Sequence, residues 1–246
     1  MDADDVMHRD RLQAQRAALD TRPELAAVGC RVRIFPRAGM RGGLRAYERW
    51  LNAIESPQAM RAEAYVECPV VHPTLMIRRA TLATLGYRTC AWPEDYDLIL
   101  RLLARGDEIA NVPRRLLSWR NDPARLTWRD ARYGLDRFTL CKAAFVAQGL
   151  LAASDRYVLW GYGETGRALR RALVAHGKRP SHIVEVHTGR LGNVIHGAPV
   201  IHPDALALER HRPLVASVAG PTARAEIRHA LAARGFRELR DFVCAA

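Results

Sequence analysis

The sequence predicts an α/β protein in two parts, and three observations carry that prediction. Short apolar runs rich in β-formers alternate with amphipathic helical stretches. After Ser154 the pattern becomes strand, glycine turn, helix, strand, the order of a βαβ unit. An Ala- and Leu-rich stretch over residues 131 to 153 reads as a helix bridging the two parts. With 246 residues, the chain has room for one large domain or two small ones.

From His8 to Leu19 the chain reads as a helix, with Leu12 and Leu19 on one face and Arg22-Pro23 as its stop. Ala26 to Phe35 is strand-like, because Val28, Val32 and Ile34 favour extended backbone and Arg31 and Arg33 alternate with apolar residues. Leu44, Tyr47, Leu51 and Ile54 follow helical spacing after Gly42-Gly43, and Ser56-Pro57 is expected to end that helix. Two further helices are expected, Arg79 to Leu85 closed by Gly86 and Asp95 to Ala104 closed by Gly106. The second carries the i,i+4 apolar pairs Leu98, Leu102 and Ile99, Leu103.

In the second part, Arg156 to Trp160 reads as a strand that runs into Gly161-Tyr162-Gly163-Glu164-Thr165-Gly166. A helix follows from Arg167 to His176, ended by Gly177, and Ile183 to Val186 is the next strand. Pro213 to Val218 gives another strand, Thr222 to Ala233 another amphipathic helix, and Phe242-Val243 the start of a last strand.

The formal charge of +12 comes from 36 Arg and 2 Lys against 26 acidic residues, split evenly on either side of Ser154. No basic block or aromatic-interleaved basic stripe accompanies it, which argues against nucleic-acid binding. A basic surface is compatible with loose attachment to an anionic membrane face. Cys30, Cys68, Cys90, Cys141 and Cys244 lie far apart with no C-x-x-C and no histidine at zinc spacing, so they read as reduced, mostly buried thiols. With no long apolar run and an acidic start, a cytoplasmic protein is expected.

Three groups of residues can carry chemistry. Asp2 and Asp4 form a D-x-D pair whose hard oxygens suit Mg²⁺ or Mn²⁺. Glu94-Asp95, inside Trp92-Pro93-Glu94-Asp95-Tyr96-Asp97, offers a proton acceptor; the same carboxylates would also cap the helix they precede. His72, Arg79 and Arg120 are candidates for the acceptor or phosphate side, against the plainer reading of a structural loop histidine and solvated arginines.

The order of these signatures, from Asp2-Ala3-Asp4-Asp5 through His72-Pro73-Thr74, Leu85-Gly86-Tyr87-Arg88, Glu94-Asp95 and Gly106 to Val112-Pro113, resembles the second half of family 2 glycosyltransferases of the GT-A fold. The resemblance implies a partial GT-A domain over residues 1 to 150 and metal-dependent, inverting transfer of a sugar from a nucleotide-sugar donor to a polysaccharide or glycolipid acceptor. It implies Asp2 and Asp4 as metal ligands and Asp95, with Glu94 second, as the base. In that family the D-x-D lies well inside the domain, so its place at residue 2 implies that the strands gripping the nucleotide are missing, through either a start-site choice or a real truncation.

Residues 154 to 246 are expected to form a small Rossmann-like domain. Gly161, Gly163 and Gly166 fit the tight turn, phosphate approach and helix packing of a dinucleotide fingerprint, and Glu185 could hold a ribose hydroxyl. The segment from Gly192 to Val200 is similar to a turn of Rossmann-like appendages on some sugar-modifying enzymes. A nucleotide or dinucleotide is therefore a candidate ligand, and the same glycines in a purely structural βαβ turn are the alternative. The competing function is a non-catalytic nucleotide-binding or interaction module.

Overall fold

A computed structural model describes residues 1–122, 129–209 and 211–246. The chain forms two compact units, Met1–Ala64 with Cys68–Gly134, and Tyr65–Glu67 with Leu135–Ala246. The fold is α/β, as the sequence predicts.

The first unit is built on the parallel pair β2 (Leu25–Phe35) and β4 (Glu108–Arg120), flanked antiparallel by β1 (Val6–Met7) beside β4 and β3 (Met76–Ile77) beside β2. β2 is buried without a break from Leu25 to Cys30 and only then alternates, because its first half is covered on both faces. The two edge strands have two residues each, which leaves little unpaired backbone for another chain to pair with. Pro113 would interrupt a regular ladder because it has no N–H. Instead the register jumps from Cys30 opposite Val112 to Arg31 opposite Arg115, and the proline sits in the resulting irregularity.

Helices α1 (Arg11–Thr21), α2 (Gly42–Ala53), α3 (Pro57–Glu63), α4 (Arg79–Leu85) and α5 (Glu94–Arg105) complete this unit. Ser56-Pro57, expected only as a stop, also begins α3. The Ser56 hydroxyl accepts the Ala59 N–H at 3.2 Å, and Pro57 stands in the first turn, where its missing N–H costs nothing. α5 buries Tyr96, Leu98, Ile99, Leu100 and Leu102, and the Tyr96 hydroxyl donates to the Ala64 carbonyl at 2.7 Å. Gly106 closes it at φ 96°, a left-handed conformation that side chains resist, with its N–H on the Leu102 and Leu103 carbonyls.

The second unit holds α6 (Leu135–Gln148), β5 (Arg156–Trp160), α7 (Glu164–Val174), β6 (Arg179–Val184), β7 (Val194–Ile195), β8 (Ala198–Ile201), β9 (Leu214–Ala216), α8 (Pro221–Ala233) and β10 (Phe242–Cys244). Its sheet runs β10-β9-β5-β6-β8-β7, with only β7 antiparallel. Counting the parallel strands in chain order gives 3-2-1-4-5 across the sheet, the doubly wound order, and the direction of winding reverses between β5 and β9.

Alternate residues of β5 feed two cores. Tyr157 and Leu159 pack with Leu169 and Leu173 of α7, whereas Val158 and Trp160 pack with Ile227 and Leu231 of α8. α6, which the sequence suggests as a bridge, buries Ala143, Val146 and Ala147 in the first of these cores. Its Lys142 is buried, and the ammonium donates to the Val66 and Ala245 carbonyls at 2.9 and 3.0 Å, tying the short Tyr65–Glu67 segment and the chain end to α6. Burial pulls the Lys142 pKa down, while the nearby Glu67 charge opposes that shift. Among the described residues no helix is long and apolar enough to cross a membrane.

Candidate active site

The carboxylates at the start of α5 are held in place by a buried ion cluster one turn along. Asp97 is fully buried and accepts hydrogen bonds from Arg88 (3.1 and 2.5 Å), Trp92 Nε1 (3.1 Å) and Arg101 Nε (2.7 Å). Burial by itself would raise its pKa, but these donors outweigh it and hold Asp97 below the usual carboxylate range. Arg101 also donates to the Leu85 and Gly86 carbonyls at 2.9 and 2.7 Å. One carboxylate thus fixes the end of α4, the loop 87–93 and the first turn of α5.

Glu94 and Asp95 stand side by side on that turn, where the exposed amides and the positive end of the helix favour carboxylates. Asp95 Oδ1 accepts the N–H of the next residue, Tyr96, at 2.8 Å, while the N-cap position of the helix is Pro93, which offers no side-chain acceptor. The surroundings go further. The Glu94 Oε1 atom accepts the Tyr133 hydroxyl at 2.8 Å, and Arg132 approaches Oε2 at 3.7 Å while pairing with Asp130 at 2.6 Å. His72, on a short 3-10 turn, places Nε2 2.7 Å from the Tyr87 hydroxyl, with the rings edge to face.

Burial is the main reason the Asp95 pKa is raised. The Glu94 charge adds to the rise, and the proximity of His72 and the Tyr96 N–H oppose it. Burial and the two carboxylates also raise the Tyr87 and Tyr133 phenols, so both remain protonated donors at neutral pH. The cluster therefore pairs a carboxyl with enhanced proton affinity with a second carboxylate held by a phenol, beside an imidazole and a second phenol. That set can bind a hydroxyl and take its proton.

Of the residues singled out from sequence, His72, Glu94 and Asp95 come together here. Tyr87, Arg132 and Tyr133 are the additions. Tyr87 lies within the Leu85-Gly86-Tyr87-Arg88 signature, whereas nothing local marks Tyr133, which reaches Glu94 from 39 residues along the chain. Arg79 is exposed at the start of α4 and makes no hydrogen bond to the cluster among the described residues. Its neighbour Arg78 is structural, donating to the Leu25 and Leu19 carbonyls at 2.7 and 2.5 Å.

Arg120, at the end of β4, joins the chain start instead. Its Nε donates to the Asp4 carbonyl at 2.9 Å and lies 3.9 Å from the Asp4 carboxylate, its backbone N–H donates to Asp5 Oδ1 at 2.9 Å, and its guanidinium stacks 4.5 Å over Phe35. The Asp5 N–H closes a turn on the Asp2 carbonyl at 3.3 Å. The D-x-D is thus anchored at the end of the sheet by Asp5 and Arg120, with Asp2 exposed and Asp4 partly so. Among the described residues no three His, Cys, Asp or Glu side chains converge as metal ligands.

In the second unit the glycines divide by role. Gly161 follows β5 at φ 93°, and a Cβ there would strike Val218 of the neighbouring strand end. On Gly166 a Cβ would strike the Gly161 carbonyl, so this glycine lets α7 pack close to the strand. Gly163 caps α7, and a Cβ on it would meet open space. Glu185 is engaged by its own unit: the Val186 N–H donates to it at 3.1 Å and Arg190 at 2.8 Å, and Arg190 also reaches the Tyr162 carbonyl at 3.2 Å.

Gly161→Ala is expected to destabilise the second unit by more than about 1 kcal/mol, from the positive φ and the clash together. Gly163→Ala is expected to stay within about 0.5 kcal/mol of the parent. Urea unfolding followed by the fluorescence of Trp160 checks both, and equal losses at the two positions would refute the division of roles.

No family model matches the chain. It is 30% identical over 143 residues, 56% of its length, to "Putative glycosyltransferase EpsE" of Bacillus subtilis (strain 168), covering 48% of that protein. It is 27% identical over 121 residues, 49% of its length, to "Amylovoran biosynthesis glycosyltransferase AmsE" of Erwinia amylovora, covering 43% of that protein. The chain spans about half the length of the curated relatives it matches. Over roughly half of its residues, then, the chain is similar to proteins named as glycosyltransferases.

Proposed function

We propose that the first unit carries the acceptor side of a glycosyltransferase active site, which moves a sugar from a nucleotide-sugar donor to a saccharide or glycolipid acceptor. The observation that carries this reading is the cluster of His72, Tyr87, Glu94, Asp95 and Tyr133 around one carboxyl of raised proton affinity. The similarity to two proteins named as glycosyltransferases supports it. In the inverting scheme, Asp95 takes the proton as the acceptor O–H bond breaks. The oxygen bonds to the anomeric carbon, and the nucleoside diphosphate leaves with the electrons of the broken C–O bond.

In this reading the D-x-D takes a divalent ion. Asp2 and Asp4 supply two hard carboxylates on one turn, and no third protein ligand converges on them among the described residues. Such a site suits Mg²⁺ or Mn²⁺, which keep several waters or phosphate oxygens, rather than a closed protein cage. When bound, the ion would neutralise the charge of the leaving diphosphate. Arg120, beside Asp4, would bring a second positive charge to that side. Calorimetric titration of Mn²⁺ into the chain is expected to give a binding heat that Asp4→Ala abolishes, and an unchanged heat would remove the D-x-D from the metal role.

Donor turnover tests the main reading: transfer or slow hydrolysis of a nucleotide-sugar by this chain, reduced in Asp95→Asn, supports it. A second reading rests on Gly163, whose open Cβ position at the start of α7 leaves room for a phosphate beside the helix amides. In this reading the second unit is a nucleotide-binding module and the first is inert. NAD⁺ or UDP binding that is lost in Gly163→Ala, with no donor turnover, would favour it.

A further inference from the structure

We infer that the outward face of α2 is a docking surface for an anionic lipid bilayer. Arg41 at the N-cap, Arg45 and Arg49 are each exposed and follow one another at intervals of four residues. Because the arginines are separated in sequence, no basic block is visible there; the helix lines them up in one row about 12 Å long. None of the three makes an ion pair or a side-chain hydrogen bond among the described residues. The other exposed positions of α2 are Gly42, Gly43, Ala46 and Ala53, too small to cover the guanidinium groups.

Folding alone gives no reason for this row. Like charges four residues apart repel, and Arg41 and Arg45 stand at the positive end of the helix, where acids are favoured. The first turn holds no acid. Glu48, the acidic residue of α2, is buried and already engaged by the Ile34 N–H at 2.7 Å and Arg37 Nη1 at 2.6 Å. Elsewhere in the first unit arginines at the surface meet acids: Arg16 pairs with Asp20 at 3.3 Å, Arg22 with Glu24 at 2.9 Å and Arg114 with Asp10 at 2.8 Å. The charge of α2 is left for a partner outside the chain.

The shape and chemistry of the face select a bilayer. A straight row of guanidinium groups over glycine and alanine can meet a plane of lipid phosphates with all its members at once, and each gains from the negative surface potential. Single-stranded nucleic acid is held by aromatic rings between the basic groups, on which its bases stack. Here the aromatic residues turn inward: Tyr47 and Trp50 stack on each other with centroids 5.6 Å apart, pack on the core around Leu51, and the Trp50 indole N–H donates to Glu63 at 2.7 Å. No exposed large apolar side chain lies on α2, so attachment is electrostatic, reversible and sensitive to salt.

Co-sedimentation of the full chain with vesicles of phosphatidylglycerol and phosphatidylcholine in equal parts, against phosphatidylcholine alone, tests the surface. Binding is expected to the first vesicles only and is expected to fade as salt is raised. Replacing Arg41, Arg45 or Arg49 singly by glutamine is expected to weaken it about fivefold, and all three together about a hundredfold, from the usual gain per arginine near an anionic surface. Removing the same charge from exposed positions of the second unit, with Arg156→Gln, Arg167→Gln and Arg179→Gln together, is expected to leave binding close to that of the parent. No binding to the phosphatidylglycerol vesicles, binding that survives high salt, or an equal loss in the second-unit control overturns the proposal. So does an RNA strand or DNA duplex retarded through these arginines by a chain that leaves the vesicles alone. Should the triple α2 variant fail to fold, Arg45→Glu decides, since an acid suits the helix start: a larger loss than in Arg45→Gln upholds the proposal and an equal or smaller one overturns it. The docking surface does not rest on the transferase reading, and a chain that binds these vesicles without turning over donor retains the one and loses the other.

Discussion

Replacing Asp95 by asparagine is expected to lower sugar transfer by about 10²- to 10⁴-fold, the range for loss of a general base, while leaving the fold intact. The expected pH dependence follows from the raised pKa. As a base Asp95 must be ionised, so the rate of the parent should fall on acidification at a pH above the ordinary aspartate value of about 3.9. Stability should move the opposite way. A carboxyl whose folded-state pKa is raised contributes stability that is present below the unfolded value and lost as pH rises through the folded one. At neutral pH the Asp95 charge therefore opposes folding, and Asp95→Asn is expected to unfold at higher urea than the parent. A group that served only as a helix cap would show the reverse, because its removal would cost stability. Steady-state rates and urea midpoints from the same two proteins decide between the roles.

Asp97→Ala is expected to cost the first unit about 3 to 5 kcal/mol, the loss seen when one member of a buried ion pair is removed. Arg101, whose side chain is 12% exposed, contributes most of this, because Arg88 is 51% exposed and screened by solvent. The stranded Arg101 and Trp92 donors, and the loosened end of α4, are the physical source of the cost. Because the Asp97 pKa is depressed, its stabilisation is complete above the unfolded value of about 3.9 and fades as pH falls through the lower folded value. Chemical unfolding of the first unit at pH 7 and below pH 3 should therefore show a gap between parent and variant that narrows in acid. A constant gap would mean that Asp97 acts through packing alone.

These two neighbours separate what a helix start can do. Asp97 is fully buried among guanidinium and indole donors and organises structure, whereas Asp95 is half-buried beside Glu94, and its desolvation outweighs the His72 charge and the backbone donors to raise its pKa. Sequence alone could not assign these roles, because both residues sit in the same acidic first turn.

Periodicity and glycine placement were enough to locate most elements. The Leu98, Leu102 and Ile99, Leu103 pairs ended by Gly106 are α5 as observed, and the glycine run after Trp160 opens α7. The long strand β4 was harder to read, since Pro113 argues against a regular strand and only a register jump accommodates it. α3 is not legible in the sequence, because Ser56-Pro57 serves both to end one helix and to begin another.

The sequence by itself determined the α/β class, the positions of the helices other than α3 and the residue types that can handle a proton or an anion, because these depend on local spacing and local chemistry. Tertiary structure decided which of those residues meet. It joined His72 and Tyr133 to the Glu94-Asp95 pair, placed Arg120 on the D-x-D and occupied Glu185 with Arg190. It also set their proton affinities, since burial and the count of donors around a carboxylate are properties of its three-dimensional surroundings and leave no mark in the residues next to it.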